Sequence, residues 1–267
     1  MPKLDLSIII ISYNTKEATL SCLDSISKSL KDSPIKYEII VVDNASTDGT
    51  LEEISRPKGD RPLVENLKII QNKENIGFAK ANNQAVSMAN GTHILLLNSD
   101  SIVLDDAITV MYNFFVQNPQ VHFLGPKLLN KDMTPQASSA PFYTLPVVFA
   151  ALFLKGDHWG ASRSSPNQTV KTDWVSGACI MTKKEYFDKI HGFDEGIFMY
   201  MDEVDLLYRA QKAGFNTYFY RKHYSRLSLI LLKIMLQLKA LIALMAGYVI
   251  NSDYLKKTYA EAFKLAR

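Results

Sequence analysis

The stretch LSIIIISYNT, residues 6–15, joins an almost wholly apolar, β-branched run to a polar turn. Apolar residues then recur at mostly helical spacing as far as Leu30. A short β-branched run favours a strand, and apolar residues three or four positions apart favour a helix. The stretch therefore predicts a strand, a turn and a helix in that order.

The same unit recurs three times further along the chain. The predicted strands cover residues 37–43, 67–71 and 93–97, and the predicted helices follow residues 46–48 and cover 77–89 and 105–118. Strands that are almost wholly apolar and alternate with helices indicate a parallel sheet that is covered on both faces. We predict an α/β fold with a mostly parallel sheet flanked by helices.

The alternation of predicted strands and helices ends after Pro126. Three prolines and a Ser/Asn-rich stretch at residues 162–168 predict a long, partly mobile connection. Ordered structure is predicted to resume with a strand over 175–182, followed by helices over 183–190 and 203–213. Gly214 is expected to end the last of these helices.

The composition excludes several classes of protein. The 267 residues are 47% hydrophobic and 21% charged, which is typical of a globular domain with a full core. Cys22 and Cys179 lie far apart with no C-x-x-C spacing, so neither a disulfide framework nor a zinc knuckle is predicted. The apolar run at 6–11 is too short for a signal-peptide core. We expect a cytoplasmic protein.

The last part of the chain differs from the rest. Residues 221–267 carry nine basic residues and two acidic ones, a net charge of +7, which leaves −4 for residues 1–220. We therefore predict a first domain over 1–220 and a basic, apolar helical tail over 221–267. The partner expected for the tail is anionic membrane lipid at the inner face of the cell membrane, ahead of nucleic acid.

The tail contains a long apolar run at residues 227–250. Lys233, Gln237 and Lys239 interrupt it, which argues against a membrane-spanning helix. Three basic residues and a glutamine, Lys222, Arg226, Lys233 and Gln237, fall on one helical stripe with apolar residues around the rest, and Lys239 is the exception. The pattern favours a helix that lies in the membrane interface. The alternative is a helix packed on the first domain or on a partner copy in a homodimer.

Two of the predicted strands end on an acid. Asp43 ends the second strand, and Asp100 follows the fourth. Ligands of open parallel sheets bind beyond the carboxyl ends of the strands, although either acid alone could be a turn or capping residue. The sequence has no G-x-G-x-x-G and no P-loop motif to hold phosphate. An acid at this edge could instead hold Mg²⁺ or Mn²⁺ bridging a diphosphate.

Six motifs in order give the chain a resemblance to a known family. The sequence resembles the family 2 glycosyltransferases, particularly their bacterial rhamnosyltransferase-like branch, from about residue 6 to residue 219. The motifs are SIIIISYN at 7–14, VDNASTDG at 42–49, NKENIGFAKANN at 72–83, LLNSD at 96–100, WVSGA at 174–178, and GFDE at 192–195 with MDEVDL at 201–206.

The resemblance implies a GT-A fold and a nucleotide-diphospho-sugar donor. It implies that Tyr13 and Asp43 contact the nucleoside and that Asp100 is the ligand of a divalent metal, Mg²⁺ or Mn²⁺. Asn98 stands where the family usually has a further acid. The donor-binding residues implied in this way are Tyr13, Asp43, Asn75, Gly77, Lys80, Asn82, Asn98 and Asp100.

The resemblance also implies a catalytic base and an acceptor loop. Glu203 stands in the place of the catalytic base of an inverting transfer to a glycan or lipid-linked acceptor, with Asp202 as the second candidate because the order of the two acids is reversed here. Trp174, Gly177 and Ala178 would form the loop where acceptor and donor sugar meet. Trp174 could equally be a core aromatic.

The chain departs from the family after Tyr220. Relatives continue with a histidine-bearing segment that is missing here, and His223 is a weak substitute for it. A degenerate transferase that binds nucleotide or a partner without turnover is therefore the alternative function. Nucleotidyl transfer is less favoured, because residues 12–15 supply no basic phosphate-gripping loop.

Overall fold

A computed structural model describes residues 4–56, 66–154, 163–198 and 200–221 of the chain, and Met1–Arg221 forms one compact unit. The strands are β1 (Leu4–Ser12), β2 (Tyr37–Asp43), β3 (Leu67–Gln71), β4 (Gly91–Asn98), β5 (Phe123–Pro126), β6 (Leu128–Leu129), β7 (Pro135–Gln136), β8 (Ser139–Ala140), β9 (Val170–Thr172), β10 (Trp174–Val175), β11 (Cys179–Lys183) and β12 (Thr217–Tyr220). The helices are α1 (Lys16–Leu30), α2 (Thr50–Ser55), α3 (Phe78–Ser87), α4 (Ala107–Gln117), α5 (Leu145–Phe153), α6 (Lys184–Lys189) and α7 (Asp202–Lys212).

Eight strands form one sheet in the order β3-β2-β1-β4-β11-β5-β12-β9. The first four are parallel to one another, β11 runs antiparallel to β4 and β5, and β9 runs antiparallel to β12. Two small sheets, β10-β8 and β6-β7, lie apart from it. The prediction of a mostly parallel sheet flanked by helices is confirmed.

Alternate residues of β1 pack into two different cores. Ile8 and Ile10 join the cluster that holds buried residues of α1, α2 and α4, whereas Ile9 joins the cluster that holds buried residues of α3, α6 and α7. All three side chains are buried. The central strand is apolar at successive positions because helices cover both faces of the sheet.

A buried carboxylate ties the parallel strands together at their amino-terminal edge. Glu38 of β2 accepts hydrogen bonds from the Ser7 hydroxyl at 2.6 Å and from the Asn90 N–H at 2.6 Å, and Lys68 of β3 lies 2.6 Å from its other oxygen. Burial raises the pKa of Glu38, but these donors outweigh it and hold the pKa below its usual value. Gly91 N–H donates to the Ser7 hydroxyl at 2.8 Å, which adds β4 to the network.

The structure corrects the expectation for residues after Pro126. The predicted long, partly mobile connection contains β6 to β9 and the helix α5, and its strands form the two small sheets and the edge of the large one. The single strand predicted over 175–182 is two strands, β10 and β11, because β10 pairs with β8 while β11 pairs with β4. The turn at residues 176–178 lies between them.

The predicted tail helices fall on residues 222–267, outside the described residues, so the tail and the two-domain division stay predictions. His223 lies in the same segment. Among the residues that the structure describes, no helix is long and apolar enough to cross a membrane.

We predict that Gly91→Ala destabilises the fold more than Gly214→Ala does. A methyl group at Gly91 would lie 2.5 Å from the Ser7 backbone nitrogen, and the β1 backbone cannot move aside as a side chain could. We expect the free energy of unfolding to fall by about 3 kcal/mol, since overpacking of this kind costs about 1–3 kcal/mol or more. Urea unfolding followed by circular dichroism measures the loss.

Gly214→Ala is the control for this experiment. A methyl group there meets no atom within 4 Å, and only its left-handed φ of +85° opposes the change. We expect a cost of about 1–2 kcal/mol. An equal or larger loss for Gly214→Ala would contradict the crowding argument.

Candidate active site

The candidate site lies at the carboxyl-terminal edge of the parallel strands, where β2 and β4 flank β1. Ser12 is opposite Asp43 on one side, and Ile11 is opposite Asn98 on the other. Two strand spacings separate β2 from β4, which is about 10 Å. This is comparable to the separation of base and diphosphate in a nucleoside diphosphate. The sequence correctly places the two acid-bearing strand ends on one edge.

Asp43 carries an unsatisfied acceptor. One carboxylate oxygen accepts the Ser46 N–H at 3.1 Å, while Oδ1 is buried and has no hydrogen-bond partner among the described residues. A buried polar atom without a partner is costly, and it points to a ligand that donates a hydrogen bond. Tyr13, at the end of β1, is 47% exposed. An acceptor oxygen and an exposed aromatic ring suit a nucleobase.

Asn44 is the centre of a hydrogen-bond network that the sequence analysis did not single out. Its side-chain N–H donates to Asn75 Oδ1 at 2.8 Å, and its Oδ1 accepts from Asn72 Nδ2 at 3.0 Å and from the Ile76 N–H at 3.3 Å. The side chain is buried. Asn44 therefore holds the loop between β3 and α3 against the end of β2. The sequence signal for this network is the pair of asparagines in that loop, Asn72 and Asn75, together with Asn44 directly after Asp43.

The loop between β1 and α1 is tied to the loop after β2. Asn14 Oδ1 accepts the Thr47 N–H at 2.7 Å, and Ser46 Oγ accepts the Asn14 N–H at 3.0 Å. Asp48 accepts the Lys16 N–H at 2.9 Å. These bonds fix the loop that carries Tyr13 relative to Asp43.

Gly77 lets a distant segment approach the start of α3. Its φ is +85°, and a methyl group there would lie 2.8 Å from the Phe198 ring. The Phe198 carbonyl accepts the Phe78 N–H at 3.0 Å. Asn83 makes two further bonds to the backbone of Phe193, each at 2.9 Å. The segment before α7 is therefore held against α3 and the loop that precedes it.

Two predicted donor-binding residues lie on α3 itself. Lys80 is exposed. Asn82 is buried, and its side-chain N–H donates to the Phe78 carbonyl one turn earlier at 2.9 Å. The structure therefore places Asn82 on the inner face of α3, while Lys80 is accessible. Their contacts with a donor stay predictions.

Asp100 has a free carboxylate just beyond β4. It is exposed, and no hydrogen bond or ion pair joins it to another described residue. Within the described part of the chain, no three His, Cys, Asp or Glu residues form a group that could hold a metal. A single carboxylate suits Mg²⁺ or Mn²⁺, which commonly take one or two carboxylates and complete their shell with substrate phosphates and water. The residues present fit such an ion.

The chain around Asp100 is fixed by hydroxyl groups. Ser99 Oγ lies 3.1 Å from Thr15 Oγ1, and Ser12 Oγ lies 2.9 Å from both Thr15 Oγ1 and Thr19 Oγ1. The Cys22 thiol contacts the Asn98 carbonyl at 3.7 Å. Burial, followed by the charge of Asp100, raises the pKa of Cys22 to about 12. The thiol therefore stays protonated beside the candidate metal site.

Glu203 and the Asn98 strand end meet at the turn between β10 and β11. A methyl group at Gly177 would lie 3.3 Å from Glu203 Cβ, so α7 packs directly on this turn. The next residue, Ala178, accepts the Asn98 N–H at 3.0 Å through its carbonyl. The candidate base and the candidate metal motif are thus both in contact with residues 177 and 178.

Trp174 is a core residue. It is buried, and its indole N–H donates to the Pro141 carbonyl at 2.9 Å. The structure therefore shows the core role that was the alternative for Trp174, which supports the acceptor loop from beneath. Contact with an acceptor stays a prediction for Trp174, Gly177 and Ala178.

Asp202 is the buried member of the acid pair. It is 5% exposed, and its Oδ2 has no hydrogen-bond partner among the described residues. Burial, followed by the charge of Glu203, raises the pKa of Asp202 from 3.8 to about 6. The two preceding residues, Tyr200 and Met201, both have left-handed backbones, with φ of 67° and 64°. Strain and desolvation at one point are typical of functional sites.

Asp205, the third acid of the cluster, has a structural partner. Its carboxylate accepts from Arg209 Nε at 2.8 Å, and Arg209 also donates to the Ile190 carbonyl at 2.5 Å. This pair joins α7 to the end of α6. Asp205 therefore serves the scaffold through its ion pair with Arg209.

The fold is the GT-A fold of solved glycosyltransferases. The mannosyltransferase PcManGT from Pyrobaculum calidifontis, solved with GDP-Man and Mn²⁺, aligns with a TM-score of 0.54 at 16% identity over 99% of this chain and 73% of that chain. TarS from S. aureus aligns with a TM-score of 0.54 at 18% identity over 90% and 40%. At these identities the likeness shows the fold alone.

The family model described as Glycosyl transferase family 2 matches residues 7–205, and the chain belongs to this family. It is 25% identical over 216 residues to the low-salt glycan biosynthesis hexosyltransferase Agl10 of Haloferax volcanii, over 79% of this chain and 63% of that protein. It is 27% identical over 195 residues to the N-acetylglucosaminyl-diphospho-decaprenol L-rhamnosyltransferase of Mycobacterium tuberculosis, over 66% and 61%. The chain spans less than two thirds of the length of these relatives.

We predict that Asp202→Asn stabilises the fold at neutral pH and not in acid. Between pH 3.8 and about 6 the folded protein keeps a proton on Asp202 that the unfolded chain has released. Stability therefore falls as pH rises through this window, and the penalty persists above it. We expect Asp202→Asn to raise the free energy of unfolding by about 1–3 kcal/mol at about pH 7.5.

Urea unfolding of both proteins at about pH 7.5 and about pH 4 gives the comparison. The gain should shrink towards zero at the lower pH, where Asp202 is protonated in the folded protein. An equal increase in the free energy of unfolding at both pH values would show that ionisation of Asp202 does not destabilise the natural chain.

Proposed function

We propose that this chain transfers a sugar from a nucleotide-diphospho-sugar to a hydroxyl of a glycan or lipid-linked acceptor, with inversion at the anomeric carbon. The observation that carries the proposal is the contact of Glu203 with Gly177, next to Ala178, whose carbonyl holds the Asn98 strand end. A candidate base and the strand end of a candidate diphosphate site are therefore joined through two contacts, one at Gly177 and one at the adjacent Ala178. The donor sugar would lie between them.

The nucleoside end of the donor is assigned to Asp43 and Tyr13. The free Oδ1 of Asp43 would accept a hydrogen bond from the base, and the exposed Tyr13 ring would stack on it. Asn75 and Gly77 would shape the loop beside the diphosphate, because Asn44 and Phe198 hold that loop in place. Lys80 and Asn82 complete the predicted donor set.

In the transfer, Glu203 takes the proton of the acceptor hydroxyl as its oxygen attacks the anomeric carbon. The bond from that carbon to the diphosphate oxygen breaks, and the nucleoside diphosphate leaves with its electron pair. A single displacement of this kind inverts the configuration. Asp202, the buried neighbour of Glu203 in the sequence, is the second candidate base.

A divalent ion at Asp100 would neutralise the charge that develops on the departing diphosphate. Support comes from the free carboxylate of Asp100 and from PcManGT, a structural neighbour solved with Mn²⁺. Asn98 holds the strand end through its backbone. The hydroxyl groups of Ser12, Thr15 and Ser99 would keep Asp100 at a fixed distance from the nucleobase site at Asp43.

The acceptor and the place of action belong to the same proposal. The L-rhamnosyltransferase relative acts on a diphospho-decaprenol, by its name, and a lipid-linked acceptor would place this chain at the inner membrane face. The basic tail at 221–267 supports peripheral membrane contact by its charge. A homodimer is the other use proposed for the tail.

We predict that Asp100→Ala abolishes metal-dependent binding of a nucleoside diphosphate. Asp100 is the free carboxylate at the strand edge, so its removal leaves the ion with water and phosphate alone. Calorimetric titration of UDP or dTDP in the presence of Mn²⁺ measures the affinity. Asp24→Ala, which removes a half-buried carboxylate of α1 that pairs with Lys28, is the control and should bind as the natural chain does. Unchanged affinity in Asp100→Ala would refute the metal assignment.

We predict that Glu203→Gln lowers turnover by about 10²-fold or more and leaves donor binding nearly intact. The amide keeps the packing on Gly177 but cannot accept the acceptor proton at neutral pH. Turnover is followed by mass spectrometry with a panel of nucleotide sugars. Glu185→Gln, on α6, is the matched control.

The pattern of losses separates the two candidate bases and the alternative function. A larger loss in Asp202→Asn than in Glu203→Gln would move the base to Asp202. Metal-dependent nucleotide binding with no turnover on any donor would support the degenerate transferase.

A further inference from the structure

Helix α5 presents an apolar face to solvent. Its sequence, LPVVFAALF, contains no charged residue. Leu145, Phe149, Leu152 and Phe153 are 87%, 55%, 71% and 70% exposed. They lie four, seven and eight positions from the first, which places them on one side of a helix. The rings of Phe149 and Phe153 are 5.1 Å apart. Contiguous exposed apolar surface of this kind marks an interaction site.

We propose that α5 lies in the interface of an anionic lipid bilayer, with this face against the acyl chains. The described residues place one cationic group near the start of the helix, and the sequence puts a lysine just after its end. The Arg163 guanidinium lies 5.1 Å from the Trp174 ring, which is 6.0 Å from the Tyr143 ring just before α5. Lys155 follows α5 in the sequence. An apolar face flanked by cations suits anionic headgroups above a hydrocarbon layer.

A second copy of the chain is a poorer occupant for this surface. A nine-residue helix is about 13–14 Å long and about 10 Å wide, so its face covers roughly 140 Å². A stable protein interface buries about 800 Å² on each partner. A bilayer sets no such minimum, because side chains insert into it individually.

The position of α5 relative to the candidate site gives the contact a consequence. The Phe142 ring packs edge-on against Tyr208 of α7 at 5.3 Å, and the Phe142 N–H donates to Asp173 Oδ2 at 2.9 Å. Gln211 of α7 donates to the other oxygen of Asp173 at 3.2 Å. The segment that enters α5 is therefore fixed to the helix that begins at Asp202. A membrane at α5 would lie on the acceptor side of the site.

The proposal is independent of transferase activity and is tested on the full chain with a dye attached to α5. Cys22 and Cys179 are buried, and burial raises the pKa of each thiol to about 12, so a new exposed cysteine reacts selectively. Leu152→Cys carries an environment-sensitive nitrobenzoxadiazole dye. Met88→Cys, 50% exposed at the end of α3, carries the same dye as the control.

Vesicles of equal parts phosphatidylcholine and phosphatidylglycerol are then added. We expect the emission at position 152 to shift to the blue and to be quenched by a spin label in the acyl chains, with no change at position 88. An unchanged emission at 152 in protein that sediments with the vesicles would overturn the proposal and leave the tail as the membrane contact. A shift that depends on protein concentration without lipid would also overturn it, in favour of a second copy.

A second pair of variants tests the side chains themselves. Phe149→Ser with Phe153→Ser should raise the lipid concentration for half-maximal binding at least tenfold, and Val116→Ser, on α4, should leave it unchanged. Circular dichroism shows whether each variant folds. Equal binding by the folded double variant and the natural chain would contradict a role for α5.

Discussion

The burial of β1 on both faces is the constraint on which the rest of the structure depends. Each fully buried isoleucine stabilises the fold by about 1.5–3 kcal/mol relative to an exposed one, and this gain requires helices on both sides of the strand. The strands on either side of β1 are then parallel to it, because each crossover helix returns the chain to the same edge of the sheet. That edge collects the polar ends of the strands. The position of the site is therefore a result of core packing.

The buried carboxylates at the two edges of the sheet differ in their hydrogen bonding. At the amino-terminal edge, Glu38 is surrounded by donors and is fully satisfied. At the carboxyl-terminal edge, Asp43 and Asp202 each keep a buried oxygen without a partner among the described residues. A folded chain tolerates such oxygens where the surrounding structure is rigid enough to hold them. The network around Asn44 supplies that rigidity on the donor side.

The sequence predicts the parallel half of the fold well because its strands are long, apolar and separated by helical spacing. It fails between Pro126 and Trp174, where strands of two or three residues form only because partners such as β8 and β10 are brought together by the tertiary fold. The same limit applies to the site. Asp43 and Asp100 follow from strand ends, whereas the central position of Asn44 and the contact of Glu203 with Gly177 depend on residues far apart in the chain.

The separation of the two halves of the site along the chain has an evolutionary consequence. The proposed donor side is built from residues up to Asp100, and the proposed acceptor side from the small β8-β10 sheet, the turn after it and α7 with the segment before it, with hydrogen bonds between the two parts at Phe78, Asn83 and Asn98. Substitutions in the later segment can accumulate with little effect on the earlier one, because distant sites without shared partners behave independently. Under the proposed function, such an arrangement allows the acceptor to change while the donor stays the same. The small sheet is thus the natural place for library-based redesign.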